Sequence, residues 1–283
     1  MADDDAGRPR VRVDRHGPVT TLTLDSPHNR NALSSGLLRE LRDALHGAQA
    51  DPDVRVVVLT GEGTVFCSGV DLRERLHPAP TGEGPATEGD RAAGDGEAVG
   101  PASLADVLSC LVGLPQPVIA RVNGHVRGGG LGLVAACDLA VAAPSATFAF
   151  SEVRVGVAPA VIAVPGLRVM DRRAFARYAL TGDPFGAADA AVAGLLTTVT
   201  DDVDGWVAGV VASVLRSSPA AVAATKELTG WPAAGAPGTG AASAWDDAIA
   251  AAEALSDELF ASADGIEGMA AFVEKRPARW VVE

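Results

Sequence analysis

The segment VNGHVRGGGLGLVAACDLAVA, Val122 to Ala142, decides the fold of this 283-residue chain. Residues typical of strands lead into three consecutive glycines, Gly128, Gly129 and Gly130, and an apolar run follows them. Glycine adopts backbone geometry that other residues rarely adopt, and it allows a ligand to approach the main chain closely. A helix that begins there directs unpaired N–H groups toward whatever lies before it. The segment therefore predicts a strand, a tight turn and a helix.

A second unit of this kind lies upstream in VRVVVLTGEGTVFCSGVDLRE, Val54 to Glu74. The run Val54 to Leu59 is rich in valine, as expected for a buried strand. Turn residues follow at 60–64, and Phe66 to Leu72 is interpreted as a second chain reversal before a helix. Two glycine-centred turns can each donate one backbone N–H to the same oxygen. Such a pair stabilises an enolate or a tetrahedral oxyanion without a charged side chain.

The pair SGVDL and NGHVRGGGLGLVAACDLAVA resembles the crotonase family, the enoyl-CoA hydratase/isomerase superfamily of acyl-CoA enzymes. The resemblance implies an α/β fold, a spiral of repeated ββα turns with a helical C-terminal trimerisation region, and a homotrimer or a hexamer built as a dimer of trimers. It extends over most of the chain through four further strings: RNALS (Arg30 to Ser34), FAFSEVRVGVAP (Phe148 to Pro159), LTGDPFGAADAAVAGLL (Leu180 to Leu196) and AFVEKRPARW (Ala271 to Trp280).

The chain is expected to divide into a disordered tail at 1–9, a spiral core at 10–200 and a helical C-terminal region at 201–283. Within the core, residues 77–101 are rich in Gly, Pro, Ala and acidic residues, which predicts a mobile insertion. Its place after the SGVDL turn leaves two interpretations open, a flap over the acyl pocket or an inert surface insertion.

Hydrophobic periodicity and turn residues predict the individual elements of the core. Helices are expected at 34–49, 103–114 and 130–136. Beyond Asp171 the pattern is predominantly helical through Glu274. Strands are expected at 11–14, 19–24, 54–59, 117–122, 138–142 and 147–150.

The resemblance assigns the chemistry to three positions. The backbone N–H groups of Val70 and Gly129 form the oxyanion hole, so the side chain at position 70 is free to be valine. Glu152, in the string SEVRVGVAP, is the acid/base. Its apolar sequence surroundings disfavour the charged carboxylate and are expected to raise its pKa.

One departure from the family pattern concerns a second carboxylate. Many family hydratases carry a second glutamate two residues after the third glycine, where this chain has Gly132. Three activities therefore remain open: hydration of a 2-enoyl-CoA, as in the methylglutaconyl-CoA and related branched enoyl-CoA hydratases; Δ3,Δ2-enoyl-CoA isomerisation with one glutamate as a shuttle; and a catalytically weak acyl-CoA binding module. Hydration is preferred.

Coenzyme A is expected to enter as part of the substrate thioester, with no metal or redox cofactor. Arg30, Ser68 and Leu72 are the positional matches for coenzyme A binding. Lys275 is the candidate for contacting its phosphates, together with Arg276. Arg127 either faces the pocket, where it could pair with a distal carboxylate on the acyl chain, or faces solvent.

Composition narrows the expected partners and location. The formal net charge of −13 argues against nucleic-acid binding, which needs clustered Lys and Arg. The three cysteines, Cys67, Cys110 and Cys137, form no metal pattern and are expected to be reduced thiols. The N-terminal sequence is acidic, and the longest apolar run is interrupted by Asp138, so no membrane association is expected. The sequence thus predicts a cytoplasmic protein.

Overall fold

The computed structural model describes residues 8–76, 102–230 and 241–282. Most of the predicted tail and the whole of the predicted insertion at 77–101 lie outside the described residues. Arg8, which the sequence assigned to the tail, forms an ion pair with Asp25 at 2.8 Å. The strands are β1 (Val11–His16), β2 (Val19–Leu24), β3 (Val56–Gly61), β4 (Val65–Cys67), β5 (Val118–Val122), β6 (His125–Arg127), β7 (Leu139–Ala142), β8 (Thr147–Ala149), β9 (Phe185–Gly186) and β10 (Thr198–Val199).

The helices follow the periodicity of the sequence closely in the first half of the chain. The α1 helix begins after Ser34, whose side chain accepts a hydrogen bond from the Leu37 N–H. A capping box between Ser103 and Asp106 starts α3 in the same way. The helices are α1 (Ser35–Ala50), α2 (Leu72–Leu76), α3 (Leu104–Gly113), α4 (Gly129–Ala136), α5 (Ala160–Val169), α6 (Arg172–Thr181), α7 (Ala187–Val192), α8 (Val203–Leu215), α9 (Pro219–Thr229), α10 (Ala241–Ala261) and α11 (Ala263–Glu274).

Two sheets are built from the described strands. The larger has the order β1-β2-β3-β5-β7-β10, parallel except for the β1–β2 hairpin, and the smaller has the order β4-β6-β8-β9. Every residue of β3 is buried, as expected for a parallel strand covered on both faces.

The chain alternates between these sheets in a repeating order. Strands β3, β5 and β7 pair side by side in the larger sheet, and the strands that follow them, β4, β6 and β8, pair in the smaller sheet. A helical segment follows each pair before the chain returns to the larger sheet or leaves the spiral. This arrangement is the spiral of ββα turns that the family resemblance implied. Corresponding strands of successive repeats lie side by side, so the chain reversals that follow them are neighbours.

The core lies around α4. All eight residues of this helix are buried, so it has no solvent face, and it packs against α3 and α5. The glycines let its neighbours approach closely. A Cβ atom at Gly130 would lie 2.8 Å from the Cβ of Cys67, whose burial raises the thiol pKa to about 12.

The C-terminal helices are tied to this core through Lys226 on α9, which is 8% exposed. Its ammonium group forms an ion pair with Asp138 at 2.8 Å and donates hydrogen bonds to the carbonyl oxygens of Leu111 and Gln116. Asp138 in turn accepts a hydrogen bond from the Val118 N–H at 2.7 Å. One buried lysine therefore joins α9 to the end of α3 and the starts of β5 and β7.

Within residues 8–76, 102–230 and 241–282, no single helix is both long and apolar enough to cross a bilayer, and only α8 and α9 taken together, with a bend of 114° between them, meet that criterion.

Candidate active site

Two glycine-containing chain reversals, one from each of two successive ββα repeats of the spiral, contact each other. Gly69 has φ +94° and Gly128 has φ +49°, a region that side chains other than glycine rarely adopt. A Cβ atom at Gly69 would lie 3.2 Å from the Arg127 carbonyl oxygen and 3.6 Å from the Gly128 Cα. Both the backbone angle and the close approach therefore require glycine at position 69.

The residues that follow these glycines carry backbone N–H groups with no acceptor among the described residues. Leu33 bridges the first turn: its N–H donates to the Gly69 carbonyl at 2.8 Å, and its carbonyl accepts from the Asp71 N–H at 3.3 Å. This strand-like bridge leaves the Val70 N–H on the opposite side. Gly129 is the first residue of α4, so its N–H has no partner within the helix. A Cβ atom at Gly129 would lie 3.6 Å from Val70 Cγ2.

Glu152 lies against the same turn. It begins a 3₁₀ turn directly after β8, and its Oε1 lies 3.2 Å from the place a Cβ atom at Gly128 would occupy. Its Oε2 is buried and has no hydrogen-bond partner within the described chain. Burial raises the pKa of this carboxyl, and a hydrogen bond from its own backbone N–H opposes that effect in part.

The sequence-based reason for this burial needs a correction. The flanking valines that suggested an apolar pocket are exposed, with Val155 and Val157 at 56% and 57%. Arg154, two residues along the chain, pairs with Asp183 at 2.6 Å. Phe148 and Phe150, the apolar residues on the other side of Glu152 in the sequence, are buried at 0% and 1% exposure, and the carboxyl contacts the Gly128 turn.

Packing leaves no room for a side chain at Gly132, the position where many family hydratases carry a second glutamate. A Cβ atom at Gly132 would lie 2.6 Å from Ile162 Cγ2 and 3.5 Å from Leu108 Cδ1. Ile162 is 3% exposed, so it cannot easily move aside. No signal in the sequence links Ile162 to Gly132, because the two residues meet only when α5 packs on α4.

Arg127 does not face the pocket. Its guanidinium donates to the Val126 carbonyl at 2.8 Å, to the Thr147 carbonyl at 2.7 Å and to the Thr147 hydroxyl at 2.9 Å. That hydroxyl also shares a hydrogen bond with His125 Nδ1 at 2.9 Å. Burial lowers the Arg127 pKa. These bonds join β6, which precedes Gly128, to β8, which precedes Glu152.

Three of the predicted coenzyme A positions lie together. The Ser68 N–H donates to the Arg30 carbonyl at 3.1 Å, and the Ser68 hydroxyl donates to the Asn29 carbonyl at 3.0 Å. Leu72, just beyond this turn, is 53% exposed. The Arg30 side chain is exposed as well. The RNALS and SGVDL segments thus run side by side and present Arg30 and Leu72 to solvent.

Lys275 and Arg276 lie at the end of α11. Lys275 is exposed and closes the helix with φ +55°, and no hydrogen bond or ion pair in the described part of the chain joins it to the other three positions. Arg276 is held by Glu267 at 2.7 Å and by Glu274 at 2.6 Å. Arg276 is therefore already paired with two carboxylates of α11.

Asn31 supports the site and was missed by the sequence analysis. It is fully buried and has φ +56°, which asparagine tolerates better than most residues. Its amide donates to the carbonyls of Glu62 and Val65, and its side-chain oxygen accepts from the Ser26 N–H. The signal for this role is the asparagine in RNALS, which can bond the backbone locally.

The described residues contain no group of three or more His, Cys, Asp or Glu side chains arranged to hold a metal ion.

Comparison with known proteins places this geometry in a family. A family model described as Enoyl-CoA hydratase/isomerase matches residues 14–282. The Danio rerio protein named enoyl-CoA hydratase domain-containing protein 3, mitochondrial, is 31% identical over 95% of this chain and 86% of its own length.

Solved structures agree with the sequence relatives. The enoyl-CoA hydratase of Mycobacterium smegmatis superposes with a TM-score of 0.77 and is 31% identical, over 97% of this chain and all of its own. The enoyl-CoA hydratase of Mycobacterium avium has a TM-score of 0.65 and is 38% identical, over 96% of this chain and 99% of its own. The family match, the sequence relatives and the shared spiral together show that this chain belongs to the enoyl-CoA hydratase/isomerase family, the crotonase family.

Proposed function

We propose that this enzyme hydrates a 2-enoyl-CoA reversibly through an enolate. The observation that carries the proposal is the Glu152 carboxyl with a raised pKa, placed against Gly128, which precedes Gly129 and contacts Gly69, the residue before Val70. In this proposal the thioester carbonyl oxygen lies between the Val70 and Gly129 N–H groups. Each such donor contributes roughly 3 kcal/mol to a developing oxyanion.

Proton transfer in this mechanism uses one carboxyl twice. Ionised Glu152 takes a proton from water as the water oxygen bonds to C3, and the electrons of the double bond move onto the thioester oxygen as an enolate. Protonated Glu152 then returns the proton to C2. The product is the 3-hydroxyacyl-CoA, and Glu152 is ionised again.

A second candidate, Δ3,Δ2-enoyl-CoA isomerisation, is favoured by the packing of Ile162 at Gly132. Isomerisation needs only one carboxyl, which removes a proton from C2 and delivers it to C4 of the dienolate. A chain with no space for a carboxylate at position 132 is well suited to this reaction.

A spectrophotometric assay separates the candidates. Purified protein is mixed with crotonyl-CoA, with 3-methylglutaconyl-CoA and with a 3-enoyl-CoA. Loss of the conjugated thioester absorbance is expected and shows hydration, whereas growth of that absorbance from the 3-enoyl ester shows isomerisation. Binding of CoA esters without either change would contradict both and leave an acyl-CoA binding module.

The closed position at Gly132 gives a prediction for a designed pair. Gly132→Glu alone is expected to lower the free energy of unfolding by about 1–3 kcal/mol through overpacking against Ile162, without faster hydration. Gly132→Glu with Ile162→Ala provides space, and hydration is expected to rise about tenfold because a second carboxyl joins the proton transfer. Steady-state kinetics on crotonyl-CoA checks this, with Gly132→Gln/Ile162→Ala as the matched control. Equal rates for the Glu and Gln pairs would contradict the prediction.

Arg127 gives a prediction about positioning. Arg127→Met removes the bonds from β6 to Thr147 on β8, so the Gly128 turn and Glu152 lose their fixed spacing. We expect kcat to fall about tenfold with KM nearly unchanged, since misplacing a reacting group by about 1 Å costs up to a hundredfold. Arg127→Lys keeps the positive charge but loses the planar guanidinium that donates several hydrogen bonds. Its kcat should lie between those of the wild type and Arg127→Met. The control is Arg279→Met, at an exposed ion pair with Asp264; an equal loss there would show a nonspecific effect.

Assembly is proposed on a separate surface. The helix α11 exposes Ile266, Phe272 and Val273 at 59%, 86% and 78%, a large apolar face for a chain in water. A homotrimer, or a hexamer of two trimers, would bury it. Analytical ultracentrifugation of wild type and of Phe272→Asp tests this, and a monomeric wild type would refute it.

A further inference from the structure

Leu33 contacts both of the chain reversals that carry the proposed oxyanion donors. Its main chain forms a parallel bridge to Val70. The Leu33 N–H donates to the Gly69 carbonyl at 2.8 Å, and the Asp71 N–H donates to the Leu33 carbonyl at 3.3 Å. Its side chain extends to the other reversal, where Cδ1 lies 2.8 Å from the place a Cβ atom at Gly129 would occupy. One residue therefore joins the segment that carries the first donor to the residue that carries the second.

The main chain of Leu33 is fixed by the residues on either side of it. Before it, Asn31 is fully buried, and its side chain forms hydrogen bonds with the backbone of three other residues. After it, Ser34 caps α1. Leu33 itself is 2% exposed. We therefore expect its main chain to stay in place when only its side chain is changed.

The contact at Gly129 is close because this residue has no side chain. The three atoms nearest to the place of its missing Cβ belong to Leu33 at 2.8 Å, Leu104 at 3.2 Å and Val70 at 3.6 Å. Leu33 comes nearest, and atoms in a packed interior rest directly on one another. The leucine side chain therefore fixes how closely Gly129 approaches the segment that is bridged to Val70.

We propose that Leu33 is a positioning residue whose side chain sets the separation of the Val70 and Gly129 N–H groups, so that both donate to one thioester oxygen. The proposal rests on the proposed function for the two donors and for the oxygen that they bind. Hydrogen bonds weaken steeply when donor and acceptor leave their preferred distance and direction. The main-chain bridge does not need the leucine side chain, so a substitution at position 33 changes the spacing and leaves both donors present.

The experiment measures the infrared band of the thioester carbonyl in bound butyryl-CoA labelled with carbon-13 at that carbonyl, a saturated ester that cannot be hydrated. Hydrogen bonds to the oxygen lower the stretching frequency of the bound ester relative to the free ester. Leu33→Ala is expected to lose about half of this shift, because one of the two donors moves out of line. For the enoyl-CoA that the spectrophotometric assay identifies, kcat should fall about thirtyfold and KM should change by less than about twofold, since the donors act mainly on the developing oxyanion.

Leu41→Ala on α1 is the matched control. Leu41 is 0% exposed in the same hydrophobic core as Leu33, and the atoms nearest to Gly69 and Gly129 belong to other residues. Both variants leave a cavity and should lose comparable stability in urea. Leu41→Ala should nevertheless keep the wild-type carbonyl band and the wild-type kcat.

A paired substitution tests the contact itself. Gly129 lies within α4, where alanine is favourable, but its Cβ would lie 2.8 Å from Leu33 Cδ1. One of the two residues must shift in Gly129→Ala, so kcat is expected to fall about tenfold. In Leu33→Ala with Gly129→Ala the new methyl group occupies part of the space that the leucine left. Residues in contact are not additive, so this pair should regain most of the carbonyl shift and exceed both single variants in kcat.

Two outcomes would overturn the positioning role alone. The first is a folded Leu33→Ala protein that keeps the wild-type carbonyl band, and the second is a pair whose losses are the sum of those of the single variants. If Leu33→Ala does not fold, Leu33→Val is measured in its place against Leu41→Val, with a smaller change in the same direction expected. A wild-type protein that does not bind butyryl-CoA, or binds it without a shift of the carbonyl band, would refute the oxyanion hole of the proposed function and this proposal with it.

Discussion

Glu152→Gln is expected to lower turnover by about a thousandfold while CoA-ester affinity changes by no more than a few-fold. Glutamine keeps the shape of the side chain beside Gly128 but can neither take a proton from water nor deliver one to carbon. The amides of Val70 and Gly129 are untouched, so ground-state binding of the thioester remains. The measurement is kcat on crotonyl-CoA, with affinity for butyryl-CoA determined separately.

Glu253→Gln on α10 is the matched control, since it removes a carboxylate from an exposed position. It should leave kcat within a few-fold of wild type. Retention of most activity in Glu152→Gln would show that Glu152 has a structural role and that another group transfers the proton.

The same variant has a predicted effect on stability with pH. Burial raises the pKa of Glu152 above the ordinary glutamate value of 4.5. The folded protein therefore holds this proton more tightly than the unfolded chain does. Between that value and the raised pKa the folded state therefore binds more protons than the unfolded state, and stability falls as pH rises. Glu152→Gln removes this loss, so its stability relative to wild type should increase as pH rises above 4.5. Urea titrations at pH 4 and pH 7.5 check this, and a constant difference would contradict it.

Lys226→Met is expected to lower the free energy of unfolding by about 3 kcal/mol, the largest effect on stability that we predict for a single substitution. The change leaves the Asp138 carboxylate without its cation and the carbonyl oxygens of Leu111 and Gln116 without a donor. The Asp138 side chain is 21% exposed and keeps its hydrogen bond from Val118, so the buried Leu111 carbonyl left without a donor carries much of the cost. Urea denaturation at one fixed protein concentration measures the effect.

The chain offers a matched control at its other lysine. Lys275→Met changes an exposed side chain and should alter stability by less than about 0.5 kcal/mol. Adding Asp138→Asn to Lys226→Met should recover part of the loss, because the uncompensated charge is removed. A loss below about 0.5 kcal/mol in Lys226→Met would show that this ion pair contributes nothing net to stability.

The longer elements could be predicted from the sequence because their patterns are local. The hairpin strand at 19–24 has the predicted bounds, and the helix predicted at 34–49 is observed as Ser35–Ala50 with Ser34 as its cap. The strand predicted at 54–59 is shifted to Val56–Gly61, because Thr60 and Gly61 continue the pairing with β2 and were interpreted as a turn. Here sheet pairing overrides the local preference of a Thr-Gly pair for a turn.

Of the smaller sheet, only the strand at 147–150 was predicted, and the reason is physical. Its strands β4 and β6 have three residues each, too short for an alternating pattern, and they exist because the spiral places them side by side. The segment Phe66 to Leu72, interpreted as a reversal alone, contains the end of β4 before the turn.

The candidate site shows the same limit. Glycine positions could be read from the chain, whereas the packing of Ile162 on Gly132 and the bonds of Arg127 to Thr147 depend on contacts between distant segments. The expected roles of Val70, Gly129 and Glu152, and of the four coenzyme A positions, stay predictions that the variants and binding measurements above can test.

The two amides proposed as oxyanion donors belong to the main chain, and this separates function from side-chain identity. A saturation library would show position 70 as tolerant, whereas positions 69 and 128, with positive φ and a close approach, would reject nearly every substitution. The sequence is therefore expected to be constrained at Gly69, next to the donating residue, and not at Val70 itself. Since Val70 Cγ2 lies close to Gly129, drift at position 70 can reshape the wall of the pocket while the donor stays in place. Substitutions at position 70 can thus change substrate preference without removing the donor.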